Sequence, residues 1–408
     1  MMKITEITAR DIRFPTSLEL HGSDAVHKAP DYSAVYIVIK TDRPDGLQGY
    51  GLTFTLGRGT ELVLSAALVY GKMITGKCVE DIFSDFGSVW RELVHEEQFR
   101  WLGPEKGVIH IALAGVVNAL WDLWAKMEGK PVWKLLADMS PEQLVSTIDF
   151  SYLSDALTRE EALELLRKNA PTKQERENQL LSDGYPAYTT SAGWIGYTDE
   201  QIVELCQKYM SKGWTRFKMK VGGDVADDIR RAAILRETLG PDHFLAMDAN
   251  QRWDVNEAIE IMKQLAQFKP IWIEEPTSPD DVLGHAAISK ALAPYGIGVA
   301  TGEHCQNRVM FKQFLQAGAM QFCQIDSCRV GGLNEILSVV LLAAKFGVPV
   351  CPHAGGVGLC EYVQHISIFD YLCVSASLDN RVIEFSDHLH EHFVHPVVTK
   401  NGNYRVPL

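Results

Sequence analysis

At 408 residues the chain is longer than one ordinary hydrophobic core, which favours two domains. Hydrophobic residues make up 46% and charged residues 22%, the balance of a soluble globular protein rather than a disordered or fibrous one. The formal charge of −13 argues against nucleic acid as a partner, because such binding rests on Lys and Arg neutralising phosphates.

The first residues, MMKITEITARDIRFP, alternate polar and apolar side chains and lack the apolar core of a signal peptide. They are neither Ser-rich nor free of acids, as a transit peptide would be. A cytoplasmic location is expected, with the mitochondrial matrix left open. Residues 3–15 and 34–41 read as strands, the second closed by the turn residues RPDG. Helical periodicity follows in TELVLSAALVYGKMI and VEDIFSDFGSVWRELV, then in residues 108–136, where Gly129 and Pro131 break it. Residues 1–140 form the predicted α+β domain.

A polar helical insertion is expected at 154–182, and then a regular alternation sets in. Strands are predicted at 185–191, 215–221, 244–249, 271–275, 298–303, 321–327, 349–353 and 382–386, with amphipathic segments between them. Residues 141–386 thus read as a (β/α) barrel of seven or eight units, and the tail 387–408 is expected to pack on the N-terminal domain. The longest apolar run noted, Ile336 to Ala344, is far short of a membrane span, so no membrane partner is expected. Eight cysteines without a CxxC pair read as reduced thiols.

Within the barrel, ionisable residues end successive apolar runs at a steady beat: Lys220, Asp248, Glu274, Glu303, Asp326 and His353, with steps of 28, 26, 29, 23 and 27 residues. One βα unit has about that length, and parallel strands closed into a barrel gather such positions at one face. Asp248, Glu274 and Glu303 are three oxygen donors without Cys or His, the set preferred by a hard cation such as Mg²⁺, one per subunit. Singly, each acid also reads as a helix N-cap.

Lys218 and Lys220 lie two apart on one strand and point to the same face, where repulsion and dryness lower an ammonium pKa and yield an amine base. The plain alternative is a pair of snorkelling surface lysines. Asp326 lies one unit before His353, so carboxylate and imidazole are neighbours and form an acid/base pair. A base facing an acid across a bound cation suits proton removal beside a carboxylate. Glu384, after the eighth apolar run, reads equally as a substrate contact and as a solvated acid.

KMK at 218–220, the acids of MDAN, IEEP and TGE, QIDS and PHAGG resemble the enolase superfamily in its mandelate-racemase-like branch. ALWDLWAKMEGKPVWKLL at 119–136 resembles the helix leading from its capping domain into the barrel. The segments RWLGPEKG, IDFSYLSD, GYPAYTTSAGWIGY and DHLHEHF are similar to the L-fuconate dehydratases of that branch. The resemblance implies an α+β capping domain, a modified (β/α)₇β TIM barrel and Mg²⁺-dependent loss of water from an acid sugar, L-fuconate, giving 2-keto-3-deoxy-L-fuconate. In that reading Lys220 takes the C2 proton, His353 with Asp326 protonates the departing C3 hydroxyl, and Lys218 holds the substrate carboxylate. Asn250 and Glu384 contact the substrate near the metal, and Gly22, Ser23, Asp24 and Tyr32 contact it from the capping loop.

Two other readings use the same residues. A racemase or epimerase would move a proton between the faces of C2, and a non-catalytic barrel would bind an acid sugar without chemistry. A homo-oligomer is compatible with such a barrel, but the sequence sets no subunit number.

Overall fold

The computed structural model describes residues 1–408. Its first sheet comprises β1 (Ile4–Arg13), β2 (Ser33–Thr41) and β3 (Gln48–Leu52) in antiparallel order. Alternation along β2 puts Val35, Ile37 and Ile39 on its buried face. β3 escaped the sequence reading because QGYGL carries two glycines, which weaken a strand signal. Both are there for close approach: a Cβ on Gly51 would lie 2.1 Å from the Gly115 carbonyl oxygen, and one on Gly49 2.2 Å from that of Ala119. Those carbonyls belong to the helix Gly107–Met127, which lies across the sheet.

That helix corrects the reading of apolar length. It is long and apolar enough to cross a membrane by composition, but 78% of its apolar window is buried inside the protein, as in a core helix. The expected helix over 79–94 is divided at Asp85, whose side chain caps the second half by accepting from the Ser88 N–H.

The barrel strands are β4 (Tyr185–Thr189), β5 (Arg216–Lys220), β6 (Phe244–Asp248), β7 (Trp272–Glu274), β8 (Gly298–Thr301) and β9 (Phe322–Cys323), each pairing in parallel with the next. The seventh position is held by single bridges, Cys323 to Val350 and Asp326 to His353. The eighth strand, β10 (Ile383–Phe385), pairs in parallel with β4. Seven α-helices connect these eight positions and no α-helix follows β10, which makes the barrel (β/α)₇β. Inside it, Tyr188, Trp272, Phe322 and their neighbours form an apolar plug, the Trp272 and Phe322 rings 4.9 Å apart. The plug gives the site above it a dry floor.

The tail does not simply lie on the capping domain. Its strands β11 (Thr399–Lys400) and β12 (Asn403–Tyr404) form a hairpin, and β12 runs antiparallel to β4 at the start of that barrel strand. The segment before it does reach the first domain, with the His392 ring 4.7 Å from Phe14. Residues 154–182 hold two helices, Arg159–Asn169 and Lys173–Asp183. Their inner face is anchored rather than solvated: buried Arg176 donates to the Leu372 carbonyl and Asn169 to that of Val374.

Candidate active site

Each expected strand end delivers its side chain to one mouth. Alternation along β5 sends Phe217 and Met219 outward to the helices and Lys218 and Lys220 into the barrel. The carboxylates of Asp248, Glu274 and Glu303, on three consecutive strand ends, bring ligand oxygens within 4.8 Å of one another, all buried. Gln324 Nε2 donates to Glu274 Oε2 at 2.8 Å and Trp272 Nε1 to the same oxygen at 3.2 Å, which fixes the carboxylate's orientation. Sequence reasoning passed over Gln324, although it lies two residues before Asp326 and therefore on the same face.

The two lysines have different settings. Lys218 is wholly buried, its Nζ 2.8 Å from Glu274 Oε1, 2.7 Å from Glu384 Oε1 and 3.5 Å from Asp248 Oδ2. It sits beneath the carboxylates, with the Tyr188 ring below it. Lys220 Nζ lies 2.5 Å from Asp248 Oδ2 and 3.0 Å from Asn250 Oδ1, and it lines the cavity.

The expected depression of an ammonium pKa is reversed. Burial disfavours the charge on Lys220, but Asp248, Asp24 and Glu303 outweigh that and hold its pKa above the usual value. The same competition, against Glu274 and Glu384, also holds the Lys218 pKa well above the usual value. Repulsion from Lys218 acts on Lys220 more strongly than either Asp24 or Glu303 does, but the acids together outweigh it.

His353 Nδ1 is 2.7 Å from Asp326 Oδ2, and its Nε2 faces Glu303 Oε2 at 3.5 Å. Burial works against the imidazolium, but Glu303, Asp326 and Glu384 raise its pKa to about 9, so the ring is charged at neutral pH and able to give a proton. Asp326 is held in turn by the Cys328 N–H at 2.7 Å.

These groups share a cavity of about 310 Å³ between the barrel mouth and the capping domain. Its walls include Lys220, Asn250, Glu303, Asp326, His353 and Glu384 from the barrel, and Gly22, Asp24 and Tyr32 from the first domain. Two expected contacts are absent from those walls. The Ser23 hydroxyl is turned away, 2.7 Å from both the Leu20 and the Ile195 carbonyl oxygens, so its one proton is committed to backbone. Lys218 is shut off by the carboxylates it pairs with. Asp24 is on the wall, but Oδ1 accepts from the backbone of Val26 and His27 while Oδ2 meets the His27 ring. His27 and His304, which the sequence reading overlooked among 13 histidines, also line the cavity.

The cluster's charges fit a divalent cation. Asp248, Glu274, Glu303 and Glu384 carry four negative charges, and Lys218 and Lys220 two positive ones. Fully ionised, the four acids outnumber the two ammonium groups and the His353 imidazolium that faces Glu303, an excess of negative charge in a dry site. Burial and the nearness of Asp248 push the Glu274 pKa well above the ordinary carboxyl value, more than the Lys218 ammonium beside it offsets.

Residues 15–137 match the mandelate racemase/muconate lactonizing enzyme N-terminal domain, and residues 201–408 the enolase C-terminal domain-like family. The chain belongs to the enolase superfamily. It is 61% identical to human mitochondrial enolase superfamily member 1 over 99% of its own length and 91% of that protein's. The crystal structure of the human protein superposes with a TM-score of 0.98, covering 99% of this chain and 92% of that one. Identity to the L-galactonate dehydratase of Hypocrea jecorina is 54%, over 99% of this chain and 90% of that one. L-Talarate/galactarate dehydratase from Salmonella typhimurium LT2, crystallised with Mg and L-lyxarohydroxamate, is 25% identical, with a TM-score of 0.75 over 99% of this chain and 88% of that one. The chain thus stands among the acid-sugar dehydratases of its superfamily.

Proposed function

We propose that the protein is a Mg²⁺-dependent hydro-lyase that converts L-fuconate to 2-keto-3-deoxy-L-fuconate. The observation that carries the reading is the placement of Lys220 and His353 on one cavity wall system with the buried carboxylate trio between them. Asp248, Glu274 and Glu303 hold the cation, which supplies Lewis-acid stabilisation to the substrate carboxylate as negative charge develops on it.

Lys220 takes the C2 proton when its amine is neutral, a state reached once the acids that hold its charge are engaged elsewhere. His353, charged and oriented by Asp326, gives its proton to the C3 hydroxyl, which leaves as water. The resulting enol collapses to the 2-keto-3-deoxy acid. Lys218 keeps Glu274 and Glu384 in place from beneath. L-Fuconate is 6-deoxy-L-galactonate, so the activity named for the fungal relative supports the configuration assigned at C2 to C5.

Incubation of the Mg²⁺-loaded protein with a panel of acid sugars, with 2-keto acid trapped by semicarbazide, tests the reading. Turnover of L-fuconate ahead of its epimers is the expected result. Deuterium entering C2 without loss of water would identify a racemase instead, and tight binding without either reaction would identify a non-catalytic barrel.

A further inference from the structure

The cavity holds three imidazole–carboxylate pairs, and the chemistry above uses only His353 with Asp326. The second is His304, whose Nδ1 lies 2.9 Å from Glu275 Oε1. The third is His27, whose Nδ1 lies 3.0 Å from Asp24 Oδ2. The barrel supplies one and the capping domain the other. Their rings are nearly parallel, 5° apart in plane with centroids at 6.4 Å, and no hydrogen bond joins them. Every hydrogen bond that either ring makes within the protein is at Nδ1, so both Nε2 atoms are left without a protein partner, and both residues line the cavity.

Much of the local structure serves to hold His304 in this pose. Glu275 is fully buried and adopts a positive φ of 41°, a costly conformation for a non-glycine residue. Gln251, at φ 66°, donates from its backbone N–H to the Glu275 carbonyl at 2.7 Å and from its side chain to Glu275 Oε2 at 2.9 Å. Backbone strain of this kind persists where surroundings impose it, and here it sets a carboxylate behind an imidazole. On the other side Asp24 accepts two backbone N–H bonds as well as the His27 ring, which converts a mobile loop histidine into a fixed one.

We infer that His304, oriented by Glu275, and His27, oriented by Asp24, are specificity-determining residues that bind sugar hydroxyls beyond C3. The inference rests on the acid-sugar reading of the same site. With C1 at the carboxylate trio and C2 and C3 between Lys220 and His353, the rest of the chain must extend past other polar groups of the wall. An imidazole tethered at Nδ1 presents a single directed nitrogen, which reads a hydroxyl's position rather than bulk charge. Two such nitrogens from opposite walls discriminate the configuration of neighbouring hydroxyls.

The test compares His304→Asn and His27→Asn with wild type, all loaded with Mg²⁺, on L-fuconate, its C4 and C5 epimers, and 2,3-dihydroxybutanoate, a four-carbon acid with no hydroxyl beyond C3. Loss of one oriented hydrogen bond is expected to raise the KM for L-fuconate roughly tenfold and to shrink the preference over an epimer by a similar factor. Turnover of the four-carbon acid should fall far less than that of L-fuconate. A second arm measures calorimetric affinity for L-fuconate and the four-carbon acid in the Lys220→Ala background, where no turnover is needed. If no acid sugar is consumed by wild type, the functional reading fails and this arm still decides the role of the histidines. Variants that keep wild-type epimer preference, or that weaken short and long acids equally, overturn the inference.

Discussion

Gln324 illustrates how a residue with no chemistry of its own sets the quality of the site. Its amide and the Trp272 indole both donate to Glu274 Oε2, leaving the other oxygen to Lys218. Outer partners of this kind typically account for 10–100-fold in metal affinity. Gln324→Leu is therefore expected to weaken Mg²⁺ binding about 10–100-fold with little change in melting temperature, as calorimetric titration would show. Unchanged affinity would mean that Glu274 is oriented by other contacts.

The meeting of the carboxylate trio, Lys220 and the His353–Asp326 pair at one mouth was legible because each ends an apolar run and the runs are evenly spaced. His304 was not, since it follows Glu303 directly and the turn after β8 carries no periodicity. The direction of the lysine pKa shift was also hidden. It depends on how many acids converge in space, which spacing along a strand does not reveal.

At the scale of elements, the helix Gly107–Met127 does more than cover a sheet. Asn118 on this helix donates to the Ser327 carbonyl at 3.0 Å and accepts from the Leu333 N–H at 3.1 Å, clasping the turn that carries Asp326. Ahead of it, His110 Nε2 lies 2.5 Å from Glu335 Oε2, and Glu335 also accepts from the Gly331 and Arg308 backbone. The Arg308 guanidinium reaches on to Glu105 at 2.6 Å, so buried charges join the capping domain to the barrel.

Burial opposes ionisation of Glu335, but His110 and Arg308 outweigh it and lower its pKa to about 2. A carboxylate whose folded pKa is depressed stabilises fully above its unfolded value, near ~4.3, and loses that contribution as pH falls through the folded one. The stability advantage of wild type over Glu335→Gln should accordingly shrink by about 3 kcal/mol between roughly pH 5 and pH 2, measured by denaturant unfolding. A difference constant with pH would contradict this account. Pairings of this kind cross between domains, and no local sequence signal announces them.

For the whole molecule, the alternation of strands and helices after residue 184 made the barrel readable before any coordinates. The seventh position was the hardest to place in a ladder, since Val350 and His353 are held only by single bridges. The tail was the least legible part, because a two-residue strand such as β12 has too little length for a periodic signal. Its docking at the start of β4, opposite the strand ends that carry the site, leaves the mouth to the capping domain. Lys220 and His353, the proposed base and acid, therefore face the same enclosed space from separate strands, and each is open to removal without the other.

The measurement that bears most directly on this arrangement is exchange of the C2 hydrogen of L-fuconate in deuterium oxide, followed by NMR with Mg²⁺ present. Lys220→Ala should abolish both exchange and water loss while retaining cation affinity, and His353→Asn should stop water loss yet still allow exchange. Undiminished dehydration by His353→Asn, or C2 exchange surviving in Lys220→Ala, would contradict the assignment of base and acid.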